Sequence, residues 1–404
     1  MIAGQRELAV CLGDYLTDGW KAAFDATPRH LFIPDQALMV TQDRTVPLDR
    51  DADPDAWIDA AYRDAIIVIQ VDDGAGQGSG LHTSSCSMPQ VVLSMLTALD
   101  VRTGQRVLEI GTGTGYSAAL LAHRLGVENV ASVEIDPRLA KQARVNLRKV
   151  NRPVTVIIGD GAAGYLPGAP YDRIISTAAV LAGQLPYAWV RQTLPGGMIL
   201  TPWGTSFRNG ELVSLTVRPD GTAVGAIVDA VAFMRLRGQR LPRGAARLGE
   251  LVEHSTTAVT SITTLNPTKV TTDEDAEFTI GLFLTDARYS IARDDQPETY
   301  ELLVYDVTTE SAATVQVNPE YTDNGRFPVR QHGPRRLWDE LETAHAWWIE
   351  HDRPSRARYG LTITPDTQTV WLDQPSNTVA TPRELWGGAR SPEEILVGYA
   401  SELW

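Results

Sequence analysis

The sequence predicts an α/β fold built on an open parallel sheet, followed by an α+β accessory domain. Two observations predict the sheet: the apolar run Val107–Ile110 breaks into alternating glycines, and three later apolar runs rich in β-branched residues follow at strand spacing. A third observation is the change of character after residue 235, where short strand-like runs and amphipathic segments alternate with polar turns.

The glycine-rich turn after residue 110 predicts a nucleotide site between a strand and a helix. Alternating glycines permit positive φ angles and a close approach of the backbone to a ligand, and residues 117–122 read as a helix start. The spacing G-x-G-x-G differs from the dinucleotide fingerprint and lacks the lysine of a phosphate loop. The candidate cofactor-binding residues of this segment are Glu109, Gly111, Thr112, Gly113, Thr114 and Gly115.

Three further runs, at 130–136, 154–161 and 171–178, predict the neighbouring strands of the sheet. The first two end in acids, Glu134 and Asp160, and the carboxyl ends of parallel strands lie side by side at the crevice where ligands bind. One nucleoside could therefore meet all of these strand ends. Ile135 and Gly161 complete the candidate cofactor-binding set.

This set of motifs resembles those of S-adenosylmethionine-dependent methyltransferases, which implies a Rossmann-like sheet with helices on both faces. The resemblance implies that the 111–115 loop passes under the methionine part of the cofactor. It also implies that Glu134 holds the ribose hydroxyls and that Asp160 with Gly161 meets the adenine. An ordinary Rossmann-like unit that binds another nucleotide is the alternative.

The acceptor side is predicted in the segment 74–90, a glycine-rich loop that turns into a helix N-terminus. Ser87 is placed to cap that helix or to offer its hydroxyl to an anion. Here the chain resembles the protein-L-isoaspartate O-methyltransferase family, over roughly residues 5 to 232. The matching motifs are Ser85-Cys86-Ser87-Met88-Pro89, Pro28-Arg29, Phe32-Ile33-Pro34, Ala61-Tyr62-Arg63-Asp64, Gly159-Asp160-Gly161, Pro170-Tyr171-Asp172-Arg173-Ile174-Ile175 and Leu194-Pro195-Gly196-Gly197.

The acceptor side departs from that family more than the cofactor side does. Ser85 and Cys86 stand where the family has Thr and Ile, and the residues after Asp64 lack the expected Pro-Leu-Pro-Ile-Gly. We predict Ser87 as the catalytic residue, because a neutral hydroxyl can steer a carboxylate oxygen without stabilising its charge. The predicted substrate-binding residues are His82, Ser85, Cys86 and Met88.

The predicted domains are a catalytic domain at 1–235, a linker at 236–255 and an accessory domain at 256–404 that recognises a peptide substrate. In the accessory domain we predict strands at 277–284 and 300–307, a helix at 335–351, a hairpin at 361–372 and a last helix at 392–403. Its local arginines and the tryptophans at 338, 347, 348, 371, 386 and 404 suggest either a peptide-binding surface or the core of a small domain.

Charge and composition limit the possible partners. Of the 50 acidic and 36 basic residues, 26 and 16 lie after residue 235, so this part carries −10 of the net charge of −14. Such a charge disfavours a nucleic-acid surface.

Two cysteines, Cys11 and Cys86, and seven scattered histidines form no disulfide framework and no metal-ligand spacing, so we predict no metal. The absence of a signal segment and of a long apolar run predicts a soluble cytoplasmic protein without membrane contact.

Three functions stay open from the sequence, and the oligomeric state is left undetermined. The favoured hypothesis is methylation of an aspartate in a constrained, ribosomally made peptide, such as a lanthipeptide, lasso peptide or graspetide, followed by closure of the ester to an aspartimide. This type of tailoring enzyme is similar to the isoaspartate family but carries a C-terminal extension. The alternative is repair of L-isoaspartyl residues in damaged proteins, and a further alternative is a nucleoside-binding peptide adaptor without turnover.

Overall fold

The computed structural model describes residues 3–41, 44–75, 80–293, 296 and 298–379. The predicted helix at 392–403 and the tryptophans at 386 and 404 lie outside the described residues. Among the residues that are described, no helix has the length and apolar character needed to cross a bilayer.

The N-terminal part packs helices against a small antiparallel sheet with strand order β2-β1-β3-β4. Arg29 joins this part to the acceptor segment, because its buried guanidinium donates to the carbonyls of Ala65 at 2.8 Å and Ser87 at 3.1 Å. The predicted loop at 74–90 contains a strand, β4. The elements are α1 (Ala3–Leu12), α2 (Asp18–Asp25), β1 (Gln36–Val40), β2 (Thr45–Asp49), α3 (Pro54–Ala61), β3 (Ile66–Val71), β4 (His82–Cys86) and α4 (Pro89–Ala98).

The central sheet has ten strands in the order β19-β18-β12-β11-β10-β8-β5-β6-β7, with β9 beside β10. The strands β5 to β8 are parallel and confirm the four predicted strands. The elements are β5 (Val107–Ile110), α5 (Tyr116–Leu125), β6 (Val130–Glu134), α6 (Pro137–Lys149), β7 (Thr155–Ile158), β8 (Tyr171–Ser176), β9 (Val180–Leu181), α7 (Tyr187–Gln192), β10 (Thr193–Gly204), β11 (Asn209–Val217) and β12 (Ala223–Ala230).

Both faces of this sheet are covered, as the resemblance implies. Side chains alternate along a strand, so neighbours on β5 point to opposite faces. Val107 is buried in one core with Leu120 of α5, whereas Leu108 is buried in a second core with Trp189 of α7. Burial on both faces explains why these strands read as continuous apolar runs.

The second half forms a five-stranded antiparallel sheet with strand order β13-β17-β16-β15-β14 and its own core. The helix α12 confirms the prediction at 335–351, and β15 confirms the strand at 300–307. The elements are α8 (Ala245–His254), β13 (Val259–Thr263), α9 (Pro267–Thr272), α10 (Glu274–Phe283), β14 (Arg288–Arg293), β15 (Tyr300–Asp306), β16 (Ser311–Val317), α11 (Pro319–Asn324), β17 (Phe327–His332), α12 (Leu337–Glu350), β18 (Tyr359–Ile363) and β19 (Gln368–Leu372).

The predicted strand at 277–284 is wrong, because this segment lies in the helix α10. The Asp273 carboxylate caps the helix by accepting from the N–H groups of Asp275 and Ala276. Phe278, Ile280 and Leu282 are all fully buried, so both sides of the helix are apolar. A helix buried on all sides loses the apolar periodicity of 3.6 residues, and its sequence then resembles a strand.

The hairpin β18–β19 has the predicted shape, but it belongs to the central sheet. Residues 360–363 of β18 pair antiparallel with residues 223–226 of β12. The side chains of Tyr359, Leu361 and Ile363 are buried in the same core as Leu108. The predicted division at residues 235 and 256 stays a prediction, and strands from both sides of that division share this sheet.

The described tryptophans of the second half contribute to the core and expose little surface. Trp338 is buried in the core of the second sheet, and Trp348 and Trp371 are also buried. Trp347 is partly buried and packs on Phe283. These positions favour the core interpretation over a tryptophan-lined peptide surface.

Candidate active site

A pocket lies at the carboxyl ends of the parallel strands β5 to β8, where the sequence predicts the ligand. The strap, defined as residues 234–240, forms part of its wall, and the serines of β4 form another part. The lining residues are Gln70, Thr83, Ser84, Ser85, Ser87, Val92, Ile110, Gly111, Thr112, Gly113, Thr114, Tyr116, Ser117, Val133, Glu134, Ile135, Leu139, Asp160, Gly161, Thr177, Ala178, Met234, Arg235, Leu236, Arg237 and Arg240.

The glycine loop is shaped by two positions that tolerate no side chain. Gly111 has a φ of 91°, and a Cβ there would lie 2.7 Å from the Thr177 hydroxyl. Gly113 has a φ of 52°, and a Cβ there would lie 3.3 Å from the carbonyl of Ser85. Gly115 does not line the pocket: it starts α5 and faces Leu147 of α6. The loop thus presents backbone to the pocket at its first two glycines.

Glu134 lines the pocket and is held in place by two backbone donors. Its carboxylate accepts from the N–H of Gly113 at 2.9 Å and from the N–H of Asp136 at 3.0 Å. Burial raises the pKa of Glu134 above its usual value, and the two N–H donors oppose that shift. The position fits a carboxylate that accepts hydrogen bonds from a diol.

The adenine-side candidates also lie at the pocket, each tied to the protein. Asp160 accepts from the N–H of Ala162 at 2.9 Å, and the carbonyl of Gly161 accepts from the Trp189 indole at 2.8 Å. Ile135 lines the pocket next to Glu134. The structure therefore brings Glu134, Ile135, Asp160 and Gly161 together.

Glu109, like Gly115, is a cofactor candidate that does not line the pocket, because it lies behind the loop and is fully buried. Its carboxyl accepts from the hydroxyls of Ser117 and Ser132, the latter at 2.6 Å. Desolvation raises the pKa of Glu109 to about 7, although both hydroxyls lower it. Glu109 is linked to the pocket through hydroxyls: directly to Ser117, and through Ser132 to Thr112, both of which line the pocket. It therefore supports the loop from behind and does not itself line the pocket.

Replacing Glu109 by glutamine is expected to flatten the dependence of stability on pH. The folded pKa of about 7 exceeds the ordinary value of 4.5, so the wild type gains stability below pH 4.5 and loses it as pH rises through 7. The loss amounts to about 3 kcal/mol, and a neutral amide does not titrate. Urea unfolding at several pH values between 4.5 and 8 measures this effect. An equal slope in both proteins would contradict it, and Glu128→Gln, at an exposed position, is the control.

The acceptor-side candidates separate into two groups. Ser85 and Ser87 line the pocket, and no hydrogen bond within the described chain uses either hydroxyl. His82 pairs with Val71 across the β3–β4 ladder, and Cys86 is buried in the N-terminal core, so neither lines the pocket. Met88 also lies outside the lining.

The predicted cap at Ser87 is wrong, because the helix α4 begins one residue later. Met88 is the N-cap residue, no side chain caps the helix, and Pro89 occupies the first turn. Proline lacks an N–H, so the helix has one fewer unsatisfied donor for a side chain to cap. The hydroxyl of Ser87 is therefore available to a ligand.

The sequence does not predict the strap as part of the site: Arg237 and Arg240 fall in the predicted linker, and Arg235 is the last residue of the predicted catalytic domain. Arg237 pairs with Asp73 at 2.9 Å, and Arg240 pairs with the same carboxylate at 2.7 Å. These ion pairs tie the strap to the loop after β3. Most of the remaining predicted linker is also ordered, since residues 245–254 form α8. The local clustering of arginine was the only sequence signal.

Comparison with known proteins decides the family. The profile of the family described as protein-L-isoaspartate(D-aspartate) O-methyltransferase matches residues 21–241, which is more than half of the chain. The chain belongs to the protein-L-isoaspartate O-methyltransferase family. A family member from Ignicoccus hospitalis is 35% identical over 52% of this chain and 84% of its own length. A second, from Polaromonas sp., is 33% identical over 54% of this chain and 88% of its own.

The fold agrees with a solved protein-L-isoaspartate O-methyltransferase structure at a TM-score of 0.51. That structure is 20% identical, and the match covers 92% of this chain and all of the solved chain. The cofactor is S-adenosylmethionine, the methyl donor of this family. The pocket fits it, because a carboxylate held by two N–H groups and two glycines with positive φ meet at the strand ends. Within the described residues, no cluster of three His, Cys, Asp or Glu side chains is arranged to hold a metal ion.

Proposed function

We propose that this isoaspartate methyltransferase homologue methylates the free carboxylate of an L-isoaspartyl residue in a peptide or protein. The observation that carries the proposal is the pair of unpartnered hydroxyls of Ser85 and Ser87, in the same pocket as the glycine loop. A carboxylate has a reference pKa near 4 and is already deprotonated at pH 7. Transfer to it needs positioning more than it needs a base.

Each candidate residue has a role in this proposal. When bound, S-adenosylmethionine supplies an electrophilic methyl group on a sulfonium. The 111–113 backbone passes under the methionine part, Glu134 accepts from the ribose hydroxyls, and Ile135 with Asp160 and Gly161 borders the adenine. Ser87 directs the acceptor oxygen, and Ser85 supports the peptide. Neutral hydroxyls suit this task, because the acceptor loses its negative charge as the ester forms.

The test is methyl transfer to a synthetic peptide that contains L-isoaspartate, compared with the same peptide containing aspartate. We expect the isoaspartyl peptide to gain one methyl group by mass spectrometry. The Ser87→Ala variant should lose about tenfold in kcat/KM, the effect of one hydrogen bond to a charged group. Its affinity for S-adenosylhomocysteine should stay unchanged. Ser261→Ala, at an exposed position, is the control.

A second candidate function is methylation of an aspartate in a constrained, ribosomally made peptide. It is supported by the antiparallel sheet beyond residue 241, outside the family match, and by the altered Ser85-Cys86 pair. The ester would then lose methanol as the next backbone nitrogen attacks its carbonyl, which leaves an aspartimide. A gain of one methyl group followed by loss of methanol on such a peptide, with no transfer to isoaspartate, would favour this function.

The adaptor hypothesis predicts a different result in the same assays. An adaptor would bind S-adenosylhomocysteine and a peptide, and no methyl transfer would occur on any peptide. Its peptide binding would also survive a Gly113→Arg substitution, which places a side chain against the carbonyl of Ser85. Turnover on the isoaspartyl peptide excludes this hypothesis.

A further inference from the structure

Among the residues that the structure describes, Arg235 is a cation of the pocket wall without an anionic partner. It lines the pocket, and no ion pair within the described chain includes it. Its Nη2 donates to the carbonyl of Thr205 at 2.5 Å, and its Nε is buried without a hydrogen-bond partner. The neighbouring strap arginines differ, because Arg237 and Arg240 both pair with Asp73.

The surroundings of Arg235 add to the positive charge. Arg288, from β14 of the second sheet, lies close enough to disfavour the charged form of Arg235. Burial and Arg288 together lower the pKa of Arg235 to about 10, so the guanidinium is still charged at neutral pH. A buried charge that lacks a partner is unfavourable until an anion supplies one. An anionic ligand group that binds next to the Arg235 guanidinium would therefore be stabilised by it.

The topology places Arg235 on the side of the pocket away from the cofactor motifs. Its backbone bridges to Ala179, just beyond the end of β8, and its guanidinium contacts Thr205, just beyond the end of β10. The cofactor candidates follow β5, β6 and β7, on the other side of β8 in the sheet. Arg235 therefore lies toward β8 and β10, away from the loops that follow β5, β6 and β7.

We propose that Arg235 binds the non-reacting oxygen of the acceptor carboxylate while Ser87 directs the reacting one. This inference rests on the proposed function and names a specificity-determining residue for it. As the reacting oxygen bonds to the methyl carbon, the methyl–sulfur bond breaks and its electron pair stays on sulfur. No proton moves, and the acceptor changes from an anion to a neutral ester.

This arrangement acts on substrate binding and product release. Pairing with Arg235 stabilises the anionic acceptor before reaction, and the pairing weakens as the ester forms. Arg235 therefore lowers the KM for the peptide and selects carboxylates over neutral amides. It does not raise kcat, because an interaction that is weaker in the transition state than in the bound substrate does not accelerate the chemical step. The neutral ester is then held less tightly and leaves.

The experiment compares wild type, Arg235→Gln and Arg235→Lys, with Arg191→Gln at an exposed position as the control. Steady-state kinetics with the isoaspartyl peptide at saturating S-adenosylmethionine give KM and kcat. Binding of two peptides in the presence of S-adenosylhomocysteine gives a second readout. In one peptide the acceptor is the carboxylate, and in the other it is the matching carboxamide.

We expect Arg235→Gln to raise the peptide KM about tenfold or more, with a much smaller change in kcat. Wild type should prefer the carboxylate peptide by a similar factor, Arg235→Gln should lose that preference, and Arg235→Lys should recover part of it. An unchanged affinity for S-adenosylhomocysteine shows that the pocket is intact.

Two results would overturn the inference alone: an unchanged peptide KM, or a wild-type preference below twofold. A lower affinity for S-adenosylhomocysteine with an unchanged peptide KM would instead assign Arg235 to the cofactor carboxylate, and the inference would be wrong. If wild type transfers no methyl group to the isoaspartyl peptide, the proposed function fails and the inference fails with it.

Discussion

Glu134→Ala is expected to weaken the binding of S-adenosylhomocysteine by at least about 100-fold, as measured by calorimetry. In the proposed binding mode the ribose diol donates two hydrogen bonds to this carboxylate. Each would contribute about 1.5–3 kcal/mol, and the substitution would remove both. The substitution also removes the acceptor of the Gly113 N–H, so the glycine loop loses one of its anchors. Methyl transfer at a cofactor concentration near the wild-type KM should fall in the same proportion.

The matched control for Glu134 is Glu7→Ala, at an exposed position of α1. It removes the same carboxylate far from the pocket, and its affinity for S-adenosylhomocysteine should equal that of the wild type. Thermal unfolding without ligand separates loss of contact from loss of fold. A folded Glu134→Ala protein with wild-type affinity would mean that the ribose lies elsewhere.

A chain that ends at residue 357 is expected to unfold or aggregate at 25 °C. The missing hairpin buries Tyr359, Leu361, Ile363, Val370 and Leu372 in the core that also holds Leu108 and Ile174. Burial of each large apolar side chain contributes about 1.5–3 kcal/mol, whereas a whole domain is stable by only about 5–15 kcal/mol. Circular dichroism and thermal unfolding of the shortened chain provide the measurement.

Point substitutions test the same core without removing a strand. Leu361→Ala should cost about 2–5 kcal/mol in urea unfolding, the range for a buried leucine. Leu166→Ala, at a side chain that is 64% exposed, should cost far less. A shortened chain with the thermal midpoint of the full protein would show that the hairpin is dispensable. In that case the residues after 357 could be removed without unfolding the protein, and their role in substrate choice could be tested directly.

Apolar runs of strand length, each followed by glycines or acids, were enough to predict the parallel sheet. The strands β5, β6 and β8 are buried on both faces, so their apolar runs are visible in the sequence, and polar residues at the strand ends mark the pocket. The edge strand β7 exposes Ile158, but its β-branched run is still typical of a strand. Ser87 and Glu134 lie at that pocket, although their proposed roles stay predictions. The same reasoning failed for α10, because full burial removes the periodicity that separates a helix from a strand.

The parts of the site that were missed depend on contacts between distant segments. Arg235 and Arg237 stand at the start of an arginine-rich segment that reads as a linker. The bridge from Arg235 to Ala179 and the ion pair of Arg237 with Asp73 bring them to the pocket. The strand that pairs with the hairpin could not be predicted either, since nothing in residues 359–372 identifies β12 as its neighbour in the sheet. His82 and Cys86 lie within the segment that contributes to the pocket, but neither of them lines it, and their predicted role in substrate binding stays a prediction.

The pairing of β12 with β18 also affects how the protein reaches its native state. During synthesis, β12 leaves the ribosome long before its neighbour, and at 5–20 residues per second the gap is roughly ten seconds. Until β18 arrives, β12 is an edge strand with unpaired backbone groups and exposed apolar side chains, a state prone to aggregation. The central sheet therefore cannot be completed until β18 has left the ribosome.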